Sequence, residues 1–282
     1  MQILRTPSEM QQLVRDARRG GKTIGFVPTM GAFHEGHLSL MRRAASENDI
    51  AIVSLFVNPK QFNEAADLAA YPRDEANDAR MAESAGVQVM YAPDASVMYP
   101  RGFATTITVR GLTDVLEGAM RGPEHFHGVA TVVAKLLNAV PCDRLYLGQK
   151  DAQQVAVLRR MIRDLDFGAD VVVCPTVRES DGLAMSSRNV RLKGDDRRRA
   201  LALRHGLDAA LGEIARGERD AERIQRAGIH AMRVDGIEPE YFAIVDASSL
   251  ASLAQLAGDV LIAVAARVGP VRLIDNELVH LS

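Results

Sequence analysis

Ile24-Gly25-Phe26-Val27-Pro28-Thr29-Met30-Gly31-Ala32-Phe33-His34-Glu35-Gly36-His37-Leu38-Ser39-Leu40 passes from an apolar run, through a glycine-punctuated turn, into an amphipathic segment. Ile24 to Val27 reads as a buried strand, and His37 to Ser46 as the helix that follows it. The same alternation recurs along most of the first two thirds of the chain. Ile50 to Val57, Val87 to Tyr91, Arg144 to Leu147 and Val171 to Cys174 read as further strands. Ser8 to Arg19, Asp74 to Ala85, Val129 to Ala139 and Ala152 to Leu165 read as helices. Nearly uniform apolar strands separated by helices imply a parallel sheet covered on both faces. Thr105 to Val109 is read as an additional short strand.

After Thr176 the pattern changes. A long polar helix is expected from Asp195 to Ala215 and a second from Ala221 to Val234, followed by strands at Tyr241 to Val245, Val260 to Val268 and Val271 to Ile274. The fold class is therefore α/β: a Rossmann-like parallel-sheet domain over residues 1–176, then a smaller α+β domain over 177–282. Asp195-Asp196-Arg197-Arg198-Arg199 reads as acids at a helix start followed by a solvated face rather than an anion site.

Composition narrows the function. Apolar residues make up 47% and charged residues 25%, an ordinary globular balance. A net charge of −2 argues against a broad nucleic-acid or acidic-membrane footprint, and the lack of Trp argues against a base-stacking surface. Cys142 and Cys174 are too few for a metal set and read as small buried hydrophobes. The N-terminus lacks an apolar signal core, and no apolar run approaches the roughly 20 residues of a membrane span, so a soluble cytoplasmic protein is expected.

In a parallel sheet, ligands bind beyond the carboxyl ends of the strands, where Pro28 to His37 falls. Gly31 and Gly36 permit tight turning and close backbone approach, and a helix opening near Gly36 aims free N–H groups at an anion. His34 and His37 are three residues apart, so both rings face one point and can donate hydrogen bonds to phosphate oxygens. The string His-Glu-Gly-His is one residue short of the zinc motif His-Glu-x-x-His, and it has no evident third ligand. A second constellation, Gly148-Gln149-Lys150-Asp151 with Gln153-Gln154, lies at another strand-to-helix junction; by itself it also reads as capping. Gly182 to Asn189 places Ser186, Ser187 and Arg188 on one loop, a compact phosphate clamp or a solvated loop. Asn58 and Gln61 end the second strand with neutral amides that suit a polar substrate or cap a turn.

As an ordered set, these strings resemble the pantothenate synthetase family, the pantoate–β-alanine ligases of coenzyme A biosynthesis. The matches are Pro28-Thr29-Met30-Gly31, His34 with Gly36-His37, Phe56-Val57-Asn58-Pro59 with Gln61-Phe62, Tyr71-Pro72-Arg73, His125-Phe126 with Gly128-Val129, Lys150-Asp151 with Gln153-Gln154, and Gly182 through Asn189. The resemblance weakens after about Leu192. It implies a C-terminal lid domain, a homodimer, and ATP and Mg²⁺ as substrate and cofactor. It also implies two half-reactions, adenylation of pantoate and then attack by β-alanine. Met30-Gly31-Ala32-Phe33-His34-Glu35-Gly36-His37 would line the ATP site, with His37 as proton donor. Gly148, Gln149, Lys150, Asp151, Val177, Met185, Ser186, Ser187 and Arg188 would complete it. Gln61 and Gln154 would hold pantoate, and Asp78 matches an acidic position associated with Mg²⁺. Gln149, Ala152, Lys60 and the longer loop around Pro123 depart from the usual pattern. The competing reading is a nucleotidylyltransferase acting on a phosphate-bearing precursor, which shares the histidine loop but does not require Gln61 and Gln154 as a pair.

Overall fold

The computed structural model describes residues 1–62, 65–122 and 124–281. Its strands are β1 (Gln2–Leu4), β2 (Ile24–Thr29), β3 (Ile50–Leu55), β4 (Val89–Tyr91), β5 (Arg144–Gly148), β6 (Asp170–Cys174), β7 (Pro239–Asp246), β8 (Gly258–Val268) and β9 (Val271–Leu281). The helices are α1 (Pro7–Arg19), α2 (Glu35–Glu47), α3 (Ala65–Ala70), α4 (Glu75–Ser84), α5 (Ala95–Met98), α6 (Glu117–Arg121), α7 (Glu124–Ala139), α8 (Ala152–Asp164), α9 (Gly194–Arg199), α10 (Ala202–Ala215) and α11 (Ala221–Val234). The chain divides into two compact units. One comprises Met1–Gly148 and Val157–Pro175; the other comprises Gln149–Ala156 and Thr176–Ser282. The short segment Gln149–Ala156 thus groups with the C-terminal residues, which a single cut at Thr176 does not anticipate.

The first unit holds a parallel six-stranded sheet in the order β1-β4-β3-β2-β5-β6. Its central strands are rich in β-branched and aromatic residues, and Ile24, Phe26, Val27, Ile52 and Val53 are fully buried. Burial on both faces explains why the sequence shows no alternation there. The strand order reverses between β2 and β5, the switch point at which such sheets open a crevice. Ladder pairing between these two strands is confined to Gly25 and Phe26, so the carboxyl end of β2, from Val27 to Thr29, is not laddered to β5. Pro28, which has no N–H to give, occupies that end.

α1 illustrates how local signals set an element. Thr6 caps it, its hydroxyl accepting from Glu9 N–H while the Glu9 carboxylate accepts from Thr6 N–H, and Pro7 opens the first turn. Met10, Val14 and Ala17 then fall on one buried face.

Three expectations need correction. Thr105 to Val109 is not a strand. Ile107 N–H donates to Thr131 Oγ1 on α7, so this backbone is satisfied by a helix side chain rather than by a ladder. β1 escapes a sequence reading because three residues are too few to show a period. The long helix from Asp195 is two helices, joined by a tight turn in which Leu201 N–H bonds Arg198 C=O. Within α9 only part of the charge run is solvated, because Arg197 pairs with Glu179 and Asp181. The two cysteines are buried as expected, and burial pushes the Cys142 thiol up to about 12.

The second unit packs α10 and α11 on an antiparallel sheet, β7-β8-β9. β9 runs seven residues beyond Ile274. Asp275, Asn276 and Glu277 break its apolar pattern, yet Asp275 and Asn276 are buried.

Candidate functional site

The turn after β2 is set in an uncommon conformation. Gly31 and Ala32 both have positive φ, 85° and 53°. A side chain at Gly31 would meet Leu55 Cδ1 at 2.5 Å and Asp78 Oδ2 at 2.8 Å, which explains the glycine. For Ala32 the left-handed region carries an energetic penalty, and the partner that offsets it is Asp78 on α4. One carboxylate oxygen accepts from Ala32 N–H and the other from Phe33 N–H, each at 2.9 Å. Asp78 is 2% exposed. A buried carboxylate committed to two backbone amides suits a brace for the turn and does not suit Mg²⁺, which wants open octahedral coordination and retains waters. Among the described residues no group of three His, Cys, Asp or Glu is placed to hold a metal ion.

The braced turn delivers His34 to the N-cap of α2. His34 Nδ1 accepts from Gly36 N–H at 3.2 Å, and His37 Nδ1 accepts from His34 N–H at 3.4 Å. This is a reciprocal cap built from two imidazoles, with ring centroids 4.2 Å apart. An imidazole accepting at Nδ1 carries its hydrogen on Nε2, so each ring holds a donor on its far side. Phe33 lies against His37, ring centroids 5.6 Å apart, while Glu35 points outward and pairs with Arg42. Met30 follows the strand end, half-buried.

The amides after β3 form a second arrangement in the same unit. Asn58 is fully buried and caps the turn Pro59–Gln61. Its Oδ1 accepts from the Tyr99 hydroxyl at 2.8 Å and from Lys60 N–H at 3.2 Å. Its Nδ2 donates to Gln61 Oε1 at 2.8 Å and to Gly128 C=O at 3.1 Å. With Asn58 satisfied in this sense, Gln61 offers its amide oxygen to Asn58 and keeps its amide nitrogen as a donor. Burial pushes the Tyr99 phenol well above its ordinary value, so it stays a neutral donor. Arg121 can only donate to His125 Nε2, at 3.2 Å; that ring's hydrogen is therefore on Nδ1, which donates to Gln61 C=O at 3.0 Å. Lys60 lies over the Tyr99 ring, 5.3 Å from its centroid. Pro123, in the lengthened loop, lies outside the described residues.

In the second unit, Gln149–Asp151 form a single 3₁₀ turn before α8. Lys150 Nζ is 3.9 Å from Asp151. Gln154 is half-buried in the first turn of α8. Val177 and Met185 face each other across a narrow hairpin, Met185 N–H bonding Val177 C=O at 2.9 Å. The loop that follows carries Ser186, whose Oγ accepts from Arg188 N–H at 3.2 Å, then Ser187 and an exposed Arg188. Among the described residues Arg188 has no carboxylate partner. Among the described residues, two buried oxygens beside this loop, Thr176 Oγ1 and Asn189 Oδ1, have no hydrogen-bond partner. The roles of Asp78, Tyr99 and Asn276 are not legible in the sequence, where Asp275-Asn276 reads only as the polar end of a strand.

Comparison with known proteins gives the context. A family model described as pantoate-beta-alanine ligase matches residues 2–278. The chain is 51% identical over 274 residues to a pantothenate synthetase of Chelativorans sp. strain BNC1, covering 97% of this chain and 96% of that one. It is 50% identical over 281 residues to that of Heliobacterium modesticaldum, covering 99% and 100%. A crystal structure of pantothenate synthetase from Thermus thermophilus superposes with a TM-score of 0.91 at 43% identity, covering 98% and 99%. A pantoate-beta-alanine ligase from Francisella tularensis, complexed with beta-gamma ATP and beta-alanine, gives a TM-score of 0.78 at 34% identity, covering 99% and 97%.

Proposed function

The chain belongs to the pantoate–β-alanine ligase family and is an enzyme that joins pantoate to β-alanine, and we propose that it does so through an adenylate formed at the histidine turn. The observation that carries this reading is the paired imidazole cap at the N-terminus of α2, beside the switch point of the sheet. In the first step a pantoate carboxylate oxygen attacks the α-phosphorus of ATP, and the bond to the β-phosphate oxygen breaks to release pyrophosphate. In the second, the β-alanine amine attacks the acyl carbon, AMP departs and pantothenate remains. Adenylation supplies the leaving group that a bare carboxylate lacks.

His34 and His37 donate from Nε2 to the phosphates, with His37 donating to the departing pyrophosphate, where their hydrogen bonds strengthen as charge develops. Gln61, its amide oxygen held by Asn58, and Gln154 are the groups that hold pantoate, and Gln61 stays near β-alanine in the second step. Met30 to His37, Gly148 to Asp151, Val177 and Met185 take the nucleotide; Lys150, Ser186, Ser187 and Arg188 offset the phosphate charge. No covalent enzyme nucleophile is needed, and positioning supplies much of the acceleration. Mg²⁺ would arrive on the triphosphate, its usual carrier, while Asp78 stays with the Ala32 and Phe33 amides. A homodimer in the cytoplasm completes the proposal; no helix among the described residues is long and apolar enough to cross a membrane.

Pyrophosphate–ATP exchange with and without pantoate, followed by β-alanine, tests the reading. Exchange that appears only with pantoate, and pantothenate only after β-alanine, is the expected result. Exchange indifferent to pantoate would overturn it. His37→Ala should reduce adenylation strongly in a folded protein; near-normal turnover would remove His37 from the chemistry.

A further inference from the structure

We propose that Asn276, on the C-terminal strand β9, is a positioning residue for Lys150: it clamps the two peptide groups on either side of that lysine. The inference rests on the reading of Lys150 as an ATP-phosphate group and adds a residue outside every motif that suggested it.

Asn276 Nδ2 donates to Gln149 C=O at 3.0 Å and to Lys150 C=O at 2.8 Å. Its Oδ1 accepts from Gln149 Nε2 at 2.9 Å. The Gln149 carbonyl belongs to the peptide before Lys150 and the Lys150 carbonyl to the peptide after it. Both backbone torsions of Lys150 are thereby held by one amide, which uses both of its hydrogens. The turn itself is a three-residue 3₁₀ segment, a form with poor hydrogen-bond geometry that does little to hold its own shape. Lysine adds a flexible four-carbon stem, so a fixed root is the main restraint available on where its ammonium goes. The reciprocal bond gives Gln149 a role: it returns a donor to the asparagine that holds its own carbonyl.

Asn276 is itself braced. It is 4% exposed, and its N–H donates to Asp275 Oδ1 at 2.8 Å. Asp275 is 3% exposed and receives a two-pronged pair from Arg178, at 2.6 and 3.1 Å. Arg178 in turn donates to Gly182 C=O at 3.1 Å, within the hairpin that carries Val177 and Met185. Burial raises the Asp275 carboxyl above its ordinary value, against the pull of Arg178 and of the Asn276 N–H. A buried charged pair of this kind adds little net stability but gives a defined geometry when fully hydrogen-bonded. One polar step in an apolar strand therefore ties down both the lysine turn and the hairpin.

The experiment compares wild type, Asn276→Ala, Asn276→Asp, Lys150→Ala and the Lys150→Ala/Asn276→Ala double variant in pantoate-dependent pyrophosphate–ATP exchange, with folding checked by thermal melting. Asn276→Asp turns a carboxylate toward two carbonyl oxygens. Either single change at Asn276 should lower exchange by about 10- to 100-fold, the scale expected for a reacting group misplaced by about 1 Å. In the Lys150→Ala background, removal of Asn276 should cost less than about two-fold, because the group it positions is gone. Multiplying losses in the double variant, or normal exchange by folded Asn276→Ala, would overturn the inference. A wild type without pantoate-dependent exchange would instead overturn the reaction reading, and a fully active Lys150→Ala would overturn the role of the lysine.

Discussion

Replacing Gly128 with alanine sets two opposing effects against each other, and the geometry decides between them. Gly128 lies within α7, where alanine is favoured over glycine by about 1 kcal/mol of helix propensity. If nothing else mattered, Gly128→Ala would stabilise the protein. The added Cβ, however, would lie 2.3 Å from Lys60 O, 2.7 Å from Lys60 C and 3.2 Å from Gln61 N. All three are backbone atoms, so no flexible side chain can give way. Relief requires α7 and the Pro59–Gln61 turn to separate by about 1 Å, and overpacking of this kind costs about 1 to 3 kcal/mol. The collision therefore cancels or outweighs the propensity gain. The separation would also stretch the 3.1 Å bond from Asn58 to Gly128 C=O and shift the turn that carries Gln61. The expected outcome is a melting temperature at or below wild type, with kcat/KM for pantoate reduced about 100-fold and the KM for ATP little changed. Steady-state kinetics with each substrate varied, together with a melting curve, measure both quantities. A variant that melts higher than wild type and keeps its kcat/KM for pantoate would refute the reasoning, since it would mean that the close approach of α7 to the turn is not required.

Three further outcomes follow from the same geometry. Asp78→Asn leaves one oxygen for two N–H groups and points an amide donor at the other; two charge-assisted bonds are weakened, so stability should fall by about 2 to 4 kcal/mol in urea titration and adenylation with it. Unchanged stability would mean that Ala32 keeps its conformation unaided. Tyr99→Phe removes the donor that orients Asn58 and should lower pantoate kcat/KM by about 5- to 30-fold, equivalent to about 1 to 2 kcal/mol, with ATP binding preserved; an equal loss for both substrates would point to general disruption. Asp246 is held down to about 2 by hydrogen bonds from Ser249 and Ser248, below the 3.8 of a free carboxyl. A depressed folded-state value gives stability that is present above about pH 4 and lost as pH falls toward about 2, so the gap in melting temperature between wild type and Asp246→Asn should narrow over that window. A gap constant from about pH 6 to about pH 2 contradicts this assignment.

Much of the first unit could be read from sequence because its signals are local. Ile24 to Val27 and Ile50 to Val57 announce buried strands through β-branched, unbroken hydrophobicity, and Gly31 announces the turn because only a residue without Cβ fits between Leu55 and Asp78. The partners of these residues are not legible, since they come from distant positions. Asp78 reaches back 46 residues to Ala32, and Asn276 reaches 126 residues to Lys150. Nothing near Asp78 distinguishes a helix carboxylate that braces a loop from one that binds a metal; the distinction lies in which N–H groups the fold brings to it. A strand expected to stop at Ile274 runs on for a related reason. Asp275 and Asn276 look like the polar end of a strand until Arg178 and the Gln149–Lys150 turn supply partners that make their burial tolerable. The functional strings therefore reveal the groups aimed at substrate, while the groups that aim them are visible only as buried polar side chains with long-range partners. Asp78 behind His34, Tyr99 behind Gln61 and Asn276 behind Lys150 are three instances of that one relation.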